Sequence, residues 1–468
     1  MGALLASLGG AAVHAELAAA TSVSIAGTRF LVDGQVTYRG APAEGLLLNS
    51  RMVQALYDDD NPLTAGLWAY PDTGRWQPER NTDEFIAALP AYAAHGLGAV
   101  TLSLQGGMPQ PDAGFQPWEV SAFRSDGSLK PAWLARLDRA LAACETHGIV
   151  AIVTLFYFGQ DYRLQNEAAI LAATDAISDW LTARGSPNVL LEINNESSDS
   201  GYSHPILRPN RVHELVARVR MRTGGKLPVS TSFAPGVPGG VIPPDTVIAA
   251  SDYLLVHGNG LNPTGIRTLV ERVRQSPSYQ THPKPIVFNE DSTELPNLEA
   301  AINAHSSWGY YDQGQNNYRD GYQSPPINWT INTPTKHAFF QRTLTLAGGP
   351  NRPPPPPVRS APLLVSSSPF RSDATALTGE LRGAVYVFID APGIVRARFY
   401  VDDPTAAGDP THVENVAPYD FAGGTVEQAN PYSATAFGSG EHTITVVLEF
   451  ADGSARLETA TFTVVERR

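Results

Sequence analysis

The chain has 468 residues, of which 43% are hydrophobic and 17% charged, and its formal net charge at pH 7 is −13. This length exceeds that of one ordinary domain, and the composition provides a large core without the signature of disorder or of a coiled coil. The negative charge repels phosphate backbones and anionic lipid, so we expect neither nucleic acid nor a membrane surface as a partner.

The first residues resemble an export signal. Met1 to Ala15 is apolar and ends in Val13-His14-Ala15, a small-residue pattern typical of signal-peptidase sites, although no Lys or Arg precedes it. The sequence thus predicts a leader over residues 1–20 and a secreted or exported protein, with a mis-set start or an ordinary first segment as the alternative. No later apolar run approaches the roughly 20 residues that span a bilayer, so membrane insertion is not expected.

Residues 21–348 alternate short apolar runs with helix-length segments. A hairpin with its turn at Asp33-Gly34 is expected to cap the bottom of the fold before the first main strand. Eight candidate strands follow, which are Glu44 to Asn49, Ala99 to Leu104, Val150 to Phe156, Val189 to Ile193, Pro228 to Ser232, Tyr253 to His257, Pro285 to Asn289 and Ser307 to Tyr311. Because a helical segment separates each pair, the pattern predicts an α/β fold, a (β/α)8 TIM barrel.

A proline-rich linker over residues 349–360 separates the predicted barrel from the rest of the chain. Its five consecutive prolines favour an extended, semi-rigid spacer. Residues 361–468 alternate apolar and polar positions between Asp/Gly/Pro-rich turns, which predicts a small all-β sandwich of immunoglobulin-like type. It resembles the β-modules appended to many exported bacterial enzymes, for which an accessory or spacer role and carbohydrate binding are both open.

Two strands of the predicted barrel end in Asn-Glu. The fourth strand runs from Val189 through Glu192 to Asn194-Asn195-Glu196, and the seventh from Pro285 to Asn289-Glu290. Barrel enzymes carry their chemistry at these strand ends, and a carboxylate that ends a buried strand is costly unless paired or functional. Retaining glycoside hydrolysis needs one carboxylic acid and one nucleophilic carboxylate close together. Glu196 and Glu290, which face each other across the barrel mouth, fit that requirement.

Structural roles remain open for these residues. Strand alternation places Glu192 on the same face as Glu196, so Glu192 could line the barrel while Glu196 is a solvated loop residue. Glu290 could anchor the following loop. His257, at the end of strand six, and Trp308, on strand eight, could be structural residues of the barrel.

These motifs resemble the retaining glycoside hydrolases of clan A, which include the family 5 cellulases and mannanases, over roughly residues 27–348. The resemblance implies Glu196 as the acid/base and Glu290 as the nucleophile, with Asn195 binding the sugar 2-hydroxyl. It further implies that His257 is a hydrogen-bonding partner near the nucleophile and that Trp308 is the aromatic floor under the bound sugar.

The chain departs from family 5 at two strand ends. The family usually has an arginine after strand two and a histidine after strand three, where this chain has Leu104-Gln105-Gly106-Gly107 and Phe156 to Gln160. Gln105 and Gln160 are therefore predicted to contact sugar hydroxyls instead. Aromatic residues of the top-face loops, among them Trp68 and Tyr310, are predicted to stack on sugar rings, with loop packing as the alternative.

No cofactor is expected. The single cysteine, Cys144, excludes an intrachain disulfide and a multi-cysteine metal site, and the sequence has no P-loop, dinucleotide fingerprint or His-Glu-x-x-His motif. The acidic run Asp58 to Asp60 could ligate a divalent cation or be a solvated turn. The sequence thus predicts a retaining hydrolase of β-linked oligo- or polysaccharides, with a non-catalytic carbohydrate-binding barrel and a metal-dependent barrel hydrolase as alternatives. It predicts nothing about oligomeric state.

Overall fold

The computed structural model describes residues 21–110, 116–235, 240–314, 318–349, 363–389, 394–404, 406, 408–450 and 455–465. The predicted leader over residues 1–20 and the linker over residues 350–360 lie outside these residues, so both stay predictions. No helix in the described ranges combines the length and apolar character that crossing a membrane requires.

The chain begins with the predicted hairpin and then enters the barrel. The hairpin contains β1 (Val23–Ala26), β2 (Arg29–Val32) and β3 (Gln35–Val36). Asp33 and Gly34 both have positive φ in the turn between β2 and β3. Phe30 of β2 is fully buried against the lower barrel interior, where its ring meets that of Tyr253. The hairpin therefore closes the bottom of the barrel, as predicted.

All eight predicted barrel strands are present, with ends shifted by a few residues. They are β4 (Leu48–Arg51), β5 (Ala99–Ser103), β6 (Val150–Phe156), β7 (Val189–Asn194), β8 (Val229–Ser230), β9 (Leu254–His257), β10 (Ile286–Glu290) and β11 (Trp308–Tyr310). The helices of this region are α1 (Pro78–Ala94), α2 (Pro131–Thr146), α3 (Glu167–Arg184), α4 (Val212–Thr223), α5 (Asp245–Ala250), α6 (Pro263–Arg274), α7 (Pro277–Thr281), α8 (Leu295–Asn303) and α9 (Pro334–Leu346).

The eight strands close into a ring. Six of them pair in parallel in the order β11-β4-β5-β6-β7-β8, and β9 pairs in parallel with β10. The backbone N–H of Asp252 donates to Val229 at 3.0 Å, which joins the β9 side to β8, and the N–H of Phe288 donates to Ser307 at 2.9 Å, which joins β10 to β11. The predicted (β/α)8 barrel is thus observed directly in the strand pairing.

Local sequence signals set the helix ends. Asn166, Asn262 and Thr333 cap the N-termini of α3, α6 and α9 by accepting a backbone N–H three residues on. Gly185 and Gly224 end α3 and α4 in the left-handed conformation, which costs glycine little. The N-caps therefore mark where loops that follow strands end, and the two glycines mark where loops that lead into the next strands begin.

The C-terminal region forms two five-stranded sheets around a core of its own. Its strands are β12 (Leu364–Ser366), β13 (Thr375–Ala376), β14 (Glu380–Leu381), β15 (Ala384–Ile389), β16 (Ile394–Val401), β17 (His412–Glu414), β18 (Tyr419–Asp420), β19 (Tyr432–Ser433), β20 (Gly440–Phe450) and β21 (Ala455–Val464). Most pairs are antiparallel, whereas β14 pairs in parallel with β21. The region is all-β as predicted, while its immunoglobulin-like type and its role stay predictions.

Candidate active site

Three strand ends bring two glutamates and a histidine together. Glu290 is the last residue of β10, the seventh barrel strand, and Glu196 lies two residues past β7, the fourth. His257 ends β9 between them. Its Nδ1 lies 2.8 Å from Oε1 of Glu196 and 3.5 Å from Oε2 of Glu290. One ligand atom from each of the three side chains lies within 4.8 Å of the others. The predicted pair therefore meets at the mouth of the barrel.

An irregular backbone conformation brings Glu196 to this place. Glu192, four residues earlier, faces the barrel interior and is fully buried. Glu196 has a φ of +51°, and its N–H donates to Ser232 Oγ at 2.8 Å. A non-glycine residue rarely takes this conformation, which breaks the regular alternation of the strand. Glu192 thus lines the barrel, while Glu196 reaches the mouth with 14% of its side chain exposed.

Arg51 and Asn259 hold the two oxygens of Glu290. Arg51 Nε lies 2.8 Å from Oε2, and both side chains of this ion pair are buried. Asn259 Nδ2 donates to Oε1 at 2.9 Å. Burial acts to lower the pKa of Arg51, but the attraction of Glu290 and of other nearby groups raises it above its ordinary value. Arg51 is therefore a fixed positive charge beside Glu290.

Arg51 also fixes the orientation of Asn195. Its Nη2 donates to Oδ1 of Asn195 at 2.9 Å, and Asn195 is almost fully buried. Because a guanidinium only donates hydrogen bonds, the amide oxygen of Asn195 must face Arg51, and the amide nitrogen points away from it. Asn195 thus lies at the site with its NH₂ group oriented, while its predicted contact with a sugar hydroxyl stays a prediction.

His257 is fully buried between the two carboxylates. Burial acts to lower its pKa, whereas the charge of Glu290 and the hydrogen bond to Glu196 raise it, and the net pKa lies above the usual value. His257 thus keeps its proton to higher pH and donates from Nδ1 to Glu196. His257 is thus hydrogen-bonded to Glu196 and lies 3.5 Å from Glu290, while its predicted role beside a nucleophile stays a prediction.

The same three side chains are of the types that bind metal ions. Their surroundings oppose a cation, because the Arg51 guanidinium lies against the Glu290 oxygen that would be the ligand and because the raised pKa favours a proton on His257.

The carboxylates of the acidic run Asp58 to Asp60 are engaged in contacts with other side chains of the protein. Asp58 pairs with Arg136, Asp59 accepts from the Trp68 indole, and Asp60 pairs with Lys130.

Two predicted sugar contacts are wrong. Gln105 and Gln160 are fully buried. Gln105 donates to Ser121 and accepts the N–H of Tyr157, whereas Gln160 accepts the N–H of Val120 and donates to the carbonyl of Trp118. Both amides hold loops together, so neither presents a polar atom to a ligand.

Three predicted aromatic platforms are buried as well. The indole N–H of Trp308 donates to Asp291, that of Trp68 donates to Asp59, and the Tyr310 hydroxyl donates to Asp312. Exposure of these side chains is 0% for Trp308, 1% for Trp68 and 0% for Tyr310. The prediction that they stack on a sugar is wrong, because each ring is covered by protein and serves as packing.

Sequence reasoning missed residues that do lie at the site. Arg51 and Asn259 contact Glu290 directly, and the Tyr311 ring centroid lies 5.5 Å from the Arg51 guanidinium. Tyr157 is buried nearby, and its pKa is raised, first by burial and then by neighbouring charges that include Glu290. A basic residue three positions after the apolar run Leu46 to Leu48 was an available signal, of the same kind as the strand-end glutamates.

A cavity of about 490 Å³ lies on the Asn259 side of the site, and neither glutamate is among its lining residues. Its walls include Asn259, which donates to Glu290, and Tyr311. The remaining polar lining consists of Asp291, Ser292, Thr293, Asp312, Gln313 and Asp320. Burial raises the pKa of Asp291 to about 6, although hydrogen bonds from Trp308 and Asn297 act in the opposite direction. The cavity is therefore polar, and Asn259 connects its wall to Glu290.

No family model and no curated protein matches the chain. Among solved structures, the endo-β-1,4-mannanase of Thermotoga petrophila is 12% identical with a TM-score of 0.41, over 92% of this chain and 100% of that one. A GH5-4 broad specificity endoglucanase from an uncultured bacterium is 12% identical with a TM-score of 0.43, over 72% and 99%. A β-glucosidase, 1317, is 14% identical with a TM-score of 0.41, over 66% and 100%. At such low values, the barrel assignment rests on the strand pairing and the site on its own contacts.

Proposed function

We propose that the protein is a retaining glycoside hydrolase that cleaves a β-linked glucan, mannan or related oligosaccharide. The observation that supports this most is the convergence of Glu196 and Glu290 on one nitrogen of His257, with the ligand atoms within 4.8 Å of one another. Retaining enzymes place their two carboxylates about 5 to 5.5 Å apart, whereas inverting enzymes need roughly 6.5 to 9.5 Å to admit a water molecule. The spacing favours retention.

Glu290 is the proposed nucleophile. Arg51 and Asn259 orient its two oxygens, and every group that contacts it either carries positive charge or donates a hydrogen bond. In the first step a Glu290 oxygen forms a bond to the anomeric carbon while the bond from that carbon to the leaving oxygen breaks. The products are a glycosyl ester and a free alcohol, whose proton comes from Glu196.

Glu196 is the proposed acid and base. Its Oε1 is tied to His257, which leaves Oε2 to hold the proton that the leaving oxygen receives. In the second step Glu196 takes a proton from water as the water oxygen attacks the anomeric carbon. The ester bond breaks, Glu290 returns as a carboxylate, and the sugar leaves with its original anomeric configuration.

The polar cavity next to Asn259 is the proposed place for the glycan, with the reacting sugar extending from the cavity to Glu290. Its volume of about 490 Å³ is in the range of small-ligand sites, and Tyr311 and Asn259 line it. The oriented NH₂ group of Asn195 supplies one further donor. We propose no metal step, since the two-carboxylate reaction needs none.

The test is a screen of the full chain against β-glucans, mannans, xylans, galactans and aryl glycosides, with the first-formed anomer followed by NMR. Glu290→Gln serves as the inactive variant and Glu294→Gln, an exposed glutamate nearby, as the matched control. We expect wild type and the control to release the retained anomer and Glu290→Gln to release none.

Three results would overturn the proposal. Release of the inverted anomer would exclude a covalent intermediate on Glu290. Glycan binding without any product would indicate the non-catalytic barrel, and loss of activity on treatment with a chelator would indicate the metal-dependent alternative.

A further inference from the structure

The loop that follows β9 carries a hydrogen-bond donor to the proposed nucleophile. Asn259 donates from Nδ2 to Oε1 of Glu290 at 2.9 Å, and its own Oδ1 has no hydrogen-bond partner among the described residues. The amide is thus held at one end only, by the carboxylate that it should orient. The place of Asn259 therefore depends on the backbone of the loop that carries it.

That loop is a tight turn over residues 258–261. The N–H of Leu261 donates to the carbonyl of Gly258 at 2.8 Å, and Gly260, the third residue of the turn, has a φ of +76°. A type II turn requires such a φ at its third position, and glycine takes it at little cost. Because two of its four residues are glycines, the turn has few side chains of its own to fix it.

Asp291, which directly follows Glu290, is packed against the first residue of this turn. A Cβ at position 258 would lie 2.7 Å from Oδ1 of Asp291 and 2.9 Å from Cδ1 of Ile266, so a side chain there would displace one of them. The N–H of Gly258 donates to the carbonyl of Glu290 at 2.9 Å. The start of the turn is thus in direct contact with both residues that end the seventh barrel strand.

Asp291 also holds the end of the turn, through Asn297 of α8. The Nδ2 group of Asn297 donates to Oδ2 of Asp291 at 3.0 Å and to the carbonyl of Leu261 at 2.9 Å. Both side chains are buried, since Asp291 is 2% exposed and Asn297 is 1% exposed. Oδ2 also accepts the indole N–H of Trp308 at 2.6 Å, which ties the carboxylate to β11. Asp291 therefore acts on one end of the turn directly and on the other through one amide.

We infer that Asp291 is a positioning residue that sets the place of Asn259, and through it one oxygen of Glu290. The contacts run from Asp291 through Asn297 to the turn, and from the turn through Asn259 to Glu290, and each link is a hydrogen bond or a packing contact. A carboxylate is costly to bury, and this role accounts for one directly beside the nucleophile. The inference rests on the proposed function, because it requires Glu290 to attack the sugar.

The test is a double-mutant cycle on the first chemical step. The substrate is the 2,4-dinitrophenyl β-glycoside of the sugar that wild type hydrolyses, for which kcat/KM reports the attack of Glu290. Asn259→Ala removes the donor to Oε1 and should lower kcat/KM at least about tenfold, because hydrogen bonds to charged groups are the strong ones. Asp291→Ala removes the acceptor for Asn297 and should cause a similar loss. The double variant should lose less than about threefold beyond either single variant, because both changes remove the same contact.

Conservative and control variants separate positioning from a general loss of structure. Asp291→Asn keeps an oxygen that can accept from Asn297 and should keep kcat/KM within about threefold of wild type. Asp252→Ala alters a carboxylate that accepts the backbone N–H of Val229 before β9, at the opposite end of the barrel, and should lower stability without changing kcat/KM. If Asp291→Ala does not fold, Asn297→Ala breaks the same link from its other side and takes its place in the cycle.

The outcomes are separable. A wild type that hydrolyses no glycoside contradicts the proposed function itself. With an active wild type, three results would each overturn the inference about Asp291 alone: full activity in either single variant, losses that multiply in the double variant, or a loss in Asp291→Asn as large as in Asp291→Ala.

Discussion

The lower and upper halves of the barrel interior are built from the same strands but from different residue types. The lower half is apolar and contains Leu47, Ala99, Val150, Ile152, Leu190, Tyr253, Leu255 and Val287, closed by Val23 and Phe30 of the hairpin. The upper half is polar and contains Asn49, Arg51, Thr101, Thr154, Glu192, Ser230, His257 and Asn289.

The two halves of the barrel interior also differ in how completely their buried polar atoms are hydrogen-bonded. Buried polar atoms without a hydrogen-bond partner occur in the upper half, at Asn49 Oδ1, Thr101 Oγ1, Glu192 Oε1, Ser230 Oγ and Asn289 Oδ1. Such atoms reduce stability, whereas the apolar lower layer increases it. The barrel strands therefore stabilise the fold through apolar residues in their first half and place the polar groups of the candidate site through their last residues, as is typical of (β/α)8 barrels.

The largest effect is expected where the upper half loses its fixed charge. Arg51→Met removes the buried partner of Glu290 and the donor to Asn195, so kcat/KM should fall about 100- to 1,000-fold, which corresponds to about 2.7 to 4.1 kcal/mol of lost transition-state stabilisation. Steady-state kinetics on an aryl glycoside measure this. Arg342→Met, which breaks the half-exposed pair with Glu299, is the control and should keep full activity. Wild-type activity in Arg51→Met would show that the guanidinium is structural only.

Substitutions in the lower half should lower the stability of the fold and leave the activity unchanged. Leu255→Ala leaves a hole in the buried apolar layer and should lower the free energy of unfolding by about 2 to 5 kcal/mol, with kcat unchanged at temperatures where the variant stays folded. Urea unfolding gives the first value and kinetics the second. Leu63→Ala alters a side chain that is 89% exposed and should change stability by less than about 0.5 kcal/mol. A large loss of kcat in Leu255→Ala would contradict the separation of the two halves.

His257 should link stability to pH. Its pKa is raised in the folded state, so its contribution to stability is complete below the unfolded pKa of about 6.5 and is lost as pH rises through the folded pKa. The stability advantage of wild type over His257→Gln should therefore shrink above about pH 6.5, by about 1.4 kcal/mol for each pH unit that separates the unfolded pKa from the folded one. Unfolding curves between about pH 5.5 and 9 measure this.

The same comparison in a Glu196→Gln background is the control for His257. It should show a weaker pH dependence, because the hydrogen bond from His257 then reaches a neutral amide. An advantage that stays constant over the whole pH range would mean that His257 does not change its protonation state there.

The smallest effect is expected for a loop aromatic residue, where stability and KM together tell whether the ring packs or binds sugar. Trp68→Phe keeps a ring but loses the indole hydrogen bond to Asp59, so stability should fall by about 1 kcal/mol while KM changes less than about twofold. Thermal unfolding and substrate titration give the two values. A tenfold rise in KM would restore Trp68 as a sugar platform.

The barrel was predictable from the sequence because it rests on local patterns. Apolar runs such as Val150 to Phe156 coincide with observed strands, and the two strand-end glutamates meet because parallel strands share one carboxyl edge. Local patterns did not predict which of the side chains near strand ends are exposed at the barrel mouth. Gln105 and Trp68 follow strands just as Glu290 ends one, but whether such a side chain faces the mouth or packs under a loop depends on contacts distant in sequence.

The missed residues have a different cause. The predicted first strand ends at Asn49, two residues short of Arg51, whereas the observed strand runs from Leu48 to Arg51. Asn259 gave no signal of its own, since an amide after a strand is common in loops. Both became visible only through their contacts with Glu290.

The left-handed backbone of Glu196 bears on how this site can change over evolutionary time. A glycine would relax the strained φ of +51° at this position, which costs other residues on the order of 1 kcal/mol or more. Selection for stability alone would thus favour glycine at this position, whereas the proposed function requires the carboxylate of Glu196. The site embodies a trade-off between activity and stability that is concentrated in the conformation of a single residue.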